Sequence, residues 1–209
     1  MKIAREGYPL ILTAGAFATA AFAAGWQGIG IIFVILALGL LGFFRDPERF
    51  PPQEKGLILA PADGKVVSIA AVQGDSLFEE ARTRLSIFLS PLDVHVNRTP
   101  VEGKIEQIHY QPGKFFAAYK QEASRDNEQN ALRIVDGAGR KVEVVQVAGV
   151  LARRIVCRVK KGDMLDRGQR FGLIMFGSRT DLYLPDGCRV NVTEGERVKG
   201  GETIVARFV

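Results

Sequence analysis

Between Glu6 and Arg45 the chain carries no charged residue, and this stretch constrains the fold more than any other feature. It comes in two apolar runs, Leu10–Ala24 and Ile29–Phe44, separated by Gly25-Trp26-Gln27-Gly28. Each run is shorter than the roughly 20 residues a membrane span needs. Two short helices in a hairpin, or one long kinked element, would satisfy the pattern. The interruption favours the hairpin, because glycine makes turns and Trp prefers the membrane interface. Lys2 and Arg5 precede the stretch, and Arg45 and Arg49 follow it. By the positive-inside tendency both ends, and the rest of the chain, face the cytoplasm. A cleaved signal peptide would account for Lys2, Arg5 and the first run, but not for a second run directly behind it.

After Arg45-Asp46-Pro47 and Pro51-Pro52 the pattern changes to short β-branched runs bounded by Gly, Pro and Asp. Leu57–Leu59, Lys65–Ile69, Leu85–Leu89, Lys141–Val145 and Arg154–Val159 read as strands. Asp136-Gly137-Ala138-Gly139 reads as a hairpin loop between Leu132–Val135 and Lys141–Val147. Near the C-terminus, Val159-Lys160-Lys161-Gly162-Asp163 with Gly168 is matched by Val192-Thr193-Glu194-Gly195-Glu196 with Gly201. Glycine followed by an acid, then a second glycine, supplies two tight turns per unit, the style of lipoyl and biotinyl carrier domains. Ala60-Pro61-Ala62-Asp63-Gly64-Lys65-Val66 resembles the opening of such a domain. The expected fold is therefore mainly β, with at most one short helix in the body. A hydrophobic helical hairpin over residues 1–46 precedes a barrel-sandwich-like antiparallel domain over residues 47–209. A carrier module modified at Lys65 is the rival, weakened because Lys65 opens a strand and does not sit at a hairpin tip.

With 47% apolar residues in 209, the chain has material for a packed core. The net charge of +5 suits a polyanionic partner. The basic residues lack a recognition helix or an aromatic-interleaved sheet signature, so nucleic acid is not expected. An anionic membrane surface is, with Arg153, Arg154, Arg158, Lys160 and Lys161 as one candidate patch and a solvated strand face as the alternative. Neither Cys157 nor Cys188 sits in a CxxC pair, and the two histidines lie far from both in sequence, so neither a disulfide framework nor a metal site is expected.

Three segments gather residues able to do chemistry. Asp63 lies in the Pro61-Ala62-Asp63-Gly64 turn, an arrangement common in plain turns. Ser90–Pro100 holds Asp93, His95 and Asn97, which would alternate onto one face of an extended chain, with Arg98 beside them. His109 has no such company and reads as structural. The third segment is Phe171–Pro185, where an apolar strand runs into Gly177-Ser178 and emerges as another β run. A bulge or turn explains it, and so does a backbone bond placed for attack by its own serine. The residues alone leave both open.

Taken together, and in this order, the Pro61–Gly64 turn, the Ser90-Pro91-x-Asp93-x-His95 segment, Asn127-Glu128 and Phe176-Gly177-Ser178-Arg179 resemble the phosphatidylserine decarboxylase family, in its short bacterial and archaeal-type branch. The resemblance runs from about residue 45 to the end. It implies that Ser178 attacks the Gly177 carbonyl, giving a β chain of residues 1–177 and an α chain of residues 178–209 that stay together. Residue 178 would become a pyruvoyl group, which takes the substrate amine as a Schiff base, with no pyridoxal phosphate and no metal. Asp63 matches the processing acid, and His95 the histidine near the substrate carboxylate. The long bacterial enzymes carry a second histidine three residues on, where this chain has Arg98. The processing base is then His95, or Asp63 acting with water. Arg98 would stabilise an oxyanion or bind phosphate, with Asn127 and Glu128 as further substrate contacts. The substrate would be phosphatidylserine in the cell membrane, the catalytic domain cytoplasmic, and the assembly a homo-oligomer. Gly113–Tyr119 reads as a lid with aromatics near the membrane.

Overall fold

A computed structural model describes residues 2–72, 83–114, 127–149, 154–175 and 178–209. The chain divides into two units, Met1–Glu48 and Arg49–Val209.

In the first unit, α1 (Gly7–Ala23) and α2 (Gln27–Phe43) take up the two apolar runs. Small residues let them approach closely: Ala14, Ala18 and Ala21 are buried along one face of α1. Gly30 of α2 lies under the Phe22 ring, where a Cβ would come within 2.6 Å of it, and Phe17 stacks on Phe33 with ring centroids 5.2 Å apart. A short antiparallel pair, β1 (Lys2–Ile3) with β2 (Arg45–Asp46), joins the open ends. Leu12, Ile32, Ile35 and Leu38 remain more than 60% exposed. At 17 residues each helix is roughly 25 Å long at about 1.5 Å per residue. Among the described residues, no helix is long and apolar enough to cross a membrane.

The second unit is antiparallel β, and its described residues contain no helix. Its main sheet runs, in spatial order, β11 (Met164–Leu165), β7 (Gly103–Gln111), β8 (Gln129–Val135), β9 (Lys141–Ala148), β13 (Ser178–Leu184), β5 (Thr83–Leu89), β4 (Gly64–Ala71) and β15 (Arg197–Val198). Two three-stranded sheets accompany it: β10 (Arg154–Cys157), β12 (Arg170–Met175) and β6 (Val96–Arg98), then β14 (Cys188–Val190), β16 (Ile204–Phe208) and β3 (Leu57–Leu59). The expected hairpin loop joins β8 to β9, closed by Asp136 Oδ1, which accepts from the Ala138 and Arg140 amides at 2.9 Å. Lys65 lies within β4, paired with Phe88 on one side and Arg197 on the other.

The repeated glycine pattern is the visible part of a larger internal duplication. The amides of Gly162 and Gly195 both donate at 2.8 Å, to Ile105 and Val66, and those of Gly168 and Gly201 at 2.9 Å, to Thr99 and Ala60. The backbone φ values agree within each pair, 95° with 93° and 77° with 78°. Gly103 and Gly64 occupy equivalent close approaches, where an added Cβ would stand 2.4 Å from the Val135 carbonyl oxygen and 2.2 Å from that of Phe88. β7 and β4 then bulge at the equivalent point, between Ile105 and Gln107 and between Val66 and Ser68. One half is thus β3, β4, β5, β13, β14, β15 and β16; the other is β6, β7, β8, β9, β10, β11 and β12. They meet at the β9–β13 pair in the middle of the main sheet. The inward faces of both halves share one apolar core, built around Ile58, Leu85, Ile87, Ile105, Leu132 and Phe171.

The Asp93–Asn97 stripe differs from expectation. The chain is extended only from Val96, and Asp93 belongs to the preceding turn. There its Oδ2 accepts from the Ser90 amide at 2.8 Å, and its Oδ1 pairs with Arg197. A carboxylate two or three residues beyond a serine closes such a turn locally, and this outcompetes strand alternation. Arg49 also departs from its expected place: it is not only a flanking charge but forms ion pairs within the body, with Asp63 and Glu202.

Candidate active site

Ser178 opens β13, between Leu89 of β5 and Ala148 of β9. On this strand Leu182 and Leu184 point into the main core, so alternation turns Ser178 and Thr180 inward as well. Ser178 is fully buried, and its Oγ has no hydrogen-bond partner among the described residues. A buried hydroxyl costs free energy unless it is bonded, so one left over in a native fold calls for an explanation. Phe176 and Gly177 lie outside the described residues.

His95 reaches the same end of the core from the other sheet. It directly precedes β6, which runs antiparallel to β12 with Val96 opposite Leu173, and the Ile174 amide donates to the His95 carbonyl at 3.3 Å. His95 therefore sits beside the end of β12 that leads to Ser178. The ring is buried, and Nδ1 stands 2.9 Å from the Asp93 carbonyl oxygen. A carbonyl only accepts, so this contact places the proton of the neutral ring on Nδ1. Nε2 is then the nitrogen whose lone pair can take up a proton.

Asp63 sits in the turn before β4. Lys65 pairs with Phe88, and Phe88 with Arg179, so Asp63 lies at the Ser178 end of the sheet. It is two strands away, about 10 Å at about 4.8 Å per strand. Its carboxylate accepts from Arg49 Nη2 at 2.7 Å and from the Gly200 amide at 2.8 Å. Burial pushes its pKa above the ordinary carboxylate value, and the Arg49 guanidinium holds back part of that rise.

Asn127 and Glu128 come to the opposite flank of the serine. Asn127 Nδ2 donates to the Ala148 carbonyl at 2.7 Å, and the Ala148 amide donates to the Glu128 carbonyl at 3.0 Å, so both grip the residue paired with Ser178. The Tyr110 hydroxyl donates to Glu128 Oε1 at 3.1 Å. Arg98 is placed differently. Adjacent residues of β6 point to opposite sides, and where Asn97 faces Thr180, Arg98 turns to the paired turns and donates from Nη1 to the Gly168 carbonyl at 3.1 Å. His109 is exposed on β7, and of the candidate lid only Gly113 and Lys114 fall within the described residues, as do Arg154, Arg158, Lys160 and Lys161 but not Arg153 of the basic patch.

Reading the residues in sequence missed the polar chain beside the serine. Asn130 Nδ2 donates to Gln146 Oε1 at 2.9 Å, Gln146 Nε2 to Asn97 Oδ1 at 2.8 Å, and Asn97 Nδ2 to Thr180 Oγ1 at 3.2 Å. The one available signal was a glutamine inside the apolar run Val142–Ala148, which has no business in a core strand without partners. At this end of the body lie a buried serine hydroxyl, a histidine whose Nε2 can take up a proton and, two strands from the serine, a carboxylate of raised pKa. Groups of these kinds are the ones that activate a hydroxyl as a nucleophile and move its proton when they come within hydrogen-bond reach of it.

The chain is similar to known proteins over most of its length. The family model described as phosphatidylserine decarboxylase matches residues 36–206. The phosphatidylserine decarboxylase proenzyme of Nitrosomonas europaea is 49% identical over 209 residues, covering 99% of this chain and 95% of that one. The proenzyme of the same name from Granulibacter bethesdensis is 52% identical over 181 residues, 85% of this chain and 73% of that one. That of Nitratidesulfovibrio vulgaris is 49% identical over 208 residues, 99% of this chain and 95% of that one. With a match over most of its length, the chain belongs to the phosphatidylserine decarboxylase family, a family of carboxy-lyases.

Proposed function

We propose that the chain is a proenzyme that cuts its own Gly177–Ser178 bond and then decarboxylates phosphatidylserine to phosphatidylethanolamine at a membrane surface. The observation that carries this reading is the buried, centrally held Ser178 with an uncommitted hydroxyl, in a chain similar over most of its length to phosphatidylserine decarboxylase proenzymes.

His95 Nε2, or Asp63 through a water, removes the Ser178 hydroxyl proton. Oγ then bonds to the Gly177 carbonyl carbon, the C–N bond breaks, and the amine takes the proton, leaving an ester. Loss of the Ser178 Cα proton expels Gly177 as a carboxylate. One water then replaces the nitrogen, ammonia leaves, and residue 178 ends as a pyruvoyl group. That group is no larger than the serine it replaces and fits the same place between Leu89 and Ala148. Its carbonyl supplies the electron sink for decarboxylating an amino acid, which side chains do not offer. Around it, His95 orients the substrate carboxylate and returns a proton to the carbon that loses CO2, and such general acids typically contribute about 10²–10⁴-fold. Asn127 and Glu128 line the substrate side through their grip on Ala148.

Cleavage need release nothing. The 178–209 segment contributes β13, β15 and β16, which pair with β5, β9, β4 and β3 of the preceding chain, and β14, which pairs with β16. The duplicated turns support a barrel-sandwich body of the lipoyl type. The exposed apolar side chains of α1 and α2, without a charge between Glu6 and Arg45, support a hairpin buried in the cytoplasmic face of the cell membrane. Intact mass of the purified protein beside Ser178→Ala tests the reading. Two fragments meeting at 177/178, the smaller with a pyruvoyl mass, should appear only in the wild type and should release CO2 from phosphatidylserine vesicles. A wild-type chain that stays whole would end the proposal.

A further inference from the structure

The internal duplication provides a built-in control for the polar chain beside Ser178. The axis relating the halves passes through the Leu182–Val144 pair of β13 and β9. Towards the Ser178 end, the next inward pair is Thr180 with Gln146. Towards the other end it is Leu184 with Val142, extending the Tyr183–Glu143 pairing by one residue. Above the first pair stands Asn97 of β6, opposite Gly172. At the equivalent place in the other half stands Ile58 of β3, opposite Ala206. Asn97, Gln146 and Thr180 therefore correspond to Ile58, Leu184 and Val142. All six are fully buried.

The same backbone arrangement is thus filled once by apolar side chains and once by amides and a hydroxyl. Replacing both partners of a buried hydrogen bond by apolar groups of similar shape is nearly neutral or stabilising. Stability therefore does not account for the polar set, and its location does. Asn97 lies two residues from His95, and Thr180 two residues from Ser178 on the same face. The Asn97–Thr180 bond spans 83 residues of sequence and joins the sheet of β6, which His95 directly precedes, to the sheet that carries Ser178. The donors also run one way, from Asn130 through Gln146 and Asn97 to Thr180. Each of the three amides presents its N–H end to the next group, the last to Thr180 two residues from Ser178, and successive hydrogen bonds of one direction reinforce one another at low dielectric.

We propose that Asn97, Gln146 and Thr180 are positioning residues that hold His95 and Ser178 in register for cleavage of the 177–178 bond, an inference that rests on the self-cleavage reading above. A misplacement of about 1 Å costs a reaction of this kind on the order of 100-fold. The test is to install the other half's side chains in the full-length protein, as Asn97→Ile with Gln146→Leu and Thr180→Val. Chain cleavage is followed by gel and mass against time, and melting is compared in the Ser178→Ala background. The triple variant should melt within a few degrees of its parent, or higher, and cleave about 100-fold more slowly than wild type. Thr180→Ser, which keeps the hydroxyl, should cleave near the wild-type rate, while Thr180→Val should be slow. Cleavage of the triple variant within about threefold of wild type would overturn the proposal. So would melting more than about 10 °C lower, or equal slowing by Thr180→Ser and Thr180→Val, because the set would then be serving the fold. A wild-type chain that fails to cleave would refute the self-cleavage reading itself, and this proposal with it.

Discussion

Gly172 is the place where a single methyl group should disturb the site most. It lies in β12 between Cys157 of β10 and Asn97 of β6. A Cβ there would stand 2.1 Å from the Val156 carbonyl oxygen and 3.2 Å from Gln146 Nε2. Carbon and oxygen ordinarily approach to no less than about 3.3 Å, so in Gly172→Ala β10 must retreat by roughly 1 Å. β10 is held to β12 through only four register pairs, Arg154–Met175 to Cys157–Gly172. Weakening about two of their hydrogen bonds, at about 0.5–1.5 kcal/mol each, and displacing Gln146 from Asn97 should cost about 2–4 kcal/mol in total. For a chain of this size that is a fall in melting temperature of roughly 5–15 °C. The duplication again offers a control, since the equivalent Ala206 of β16 is buried with its Cβ in place. Circular dichroism melting in detergent, comparing Gly172→Ala with its parent in the uncleavable Ser178→Ala background, isolates the packing effect. Cleavage of the same substitution in the Ser178 chain should be slowed as Gln146 shifts. A melting temperature within about 2 °C of the parent would refute the steric reasoning.

Two further outcomes are expected. Burial raises the pKa of Asp63 above 3.8 and Arg49 opposes that rise, so Arg49→Ala should raise it further. The folded carboxyl then holds its proton more tightly than the unfolded one. Stability should fall as pH rises from 3.8 through the raised value, by more in Arg49→Ala, and the acid limb of self-cleavage should move to higher pH; an unmoved limb in a cleavage time course across pH would exclude Asp63 as the ionised participant. Arg98, buried against Gly168 and Gly201, should behave as a support of the paired turns. Arg98→Met should lower the melting temperature and leave KM for phosphatidylserine vesicles within about threefold, whereas a tenfold rise in KM, about 1.4 kcal/mol, at unchanged melting would mark it as a phosphate contact.

Local chemistry was legible in the sequence. The charge-free stretch from Gly7 to Phe44 became α1 and α2, because helix is the conformation in which such residues satisfy their own backbone. The β-branched runs became strands, and Asp136–Arg140 a hairpin loop, because alternation and turn residues act over a few positions. Gly177-Ser178, His95 and Asp63 stood out by residue type and order. The glycine-acid-glycine repeat was visible too, as two turns. What it belonged to was not, since one half is inserted whole between β5 and β13 of the other and their equivalence rests on pairing between distant strands. Asn97 meets Gln146 across 49 residues and Thr180 across 83, separations at which no local pattern carries information. The stripe through Asp93 failed for the opposite reason, a short-range turn bond that alternation does not anticipate. Sequence alone determined which segments form helices and strands and which residue types are on hand for chemistry, because both follow from side chains and their near neighbours. Only the tertiary structure decided that Ser178 loses its contact with water, that Asn97 and Arg98 part to opposite sides of one strand, and that an amide chain ends on Thr180, two residues from the serine. Burial and partnership are properties of the packed core, where groups far apart in the chain share one dielectric and one set of hydrogen bonds.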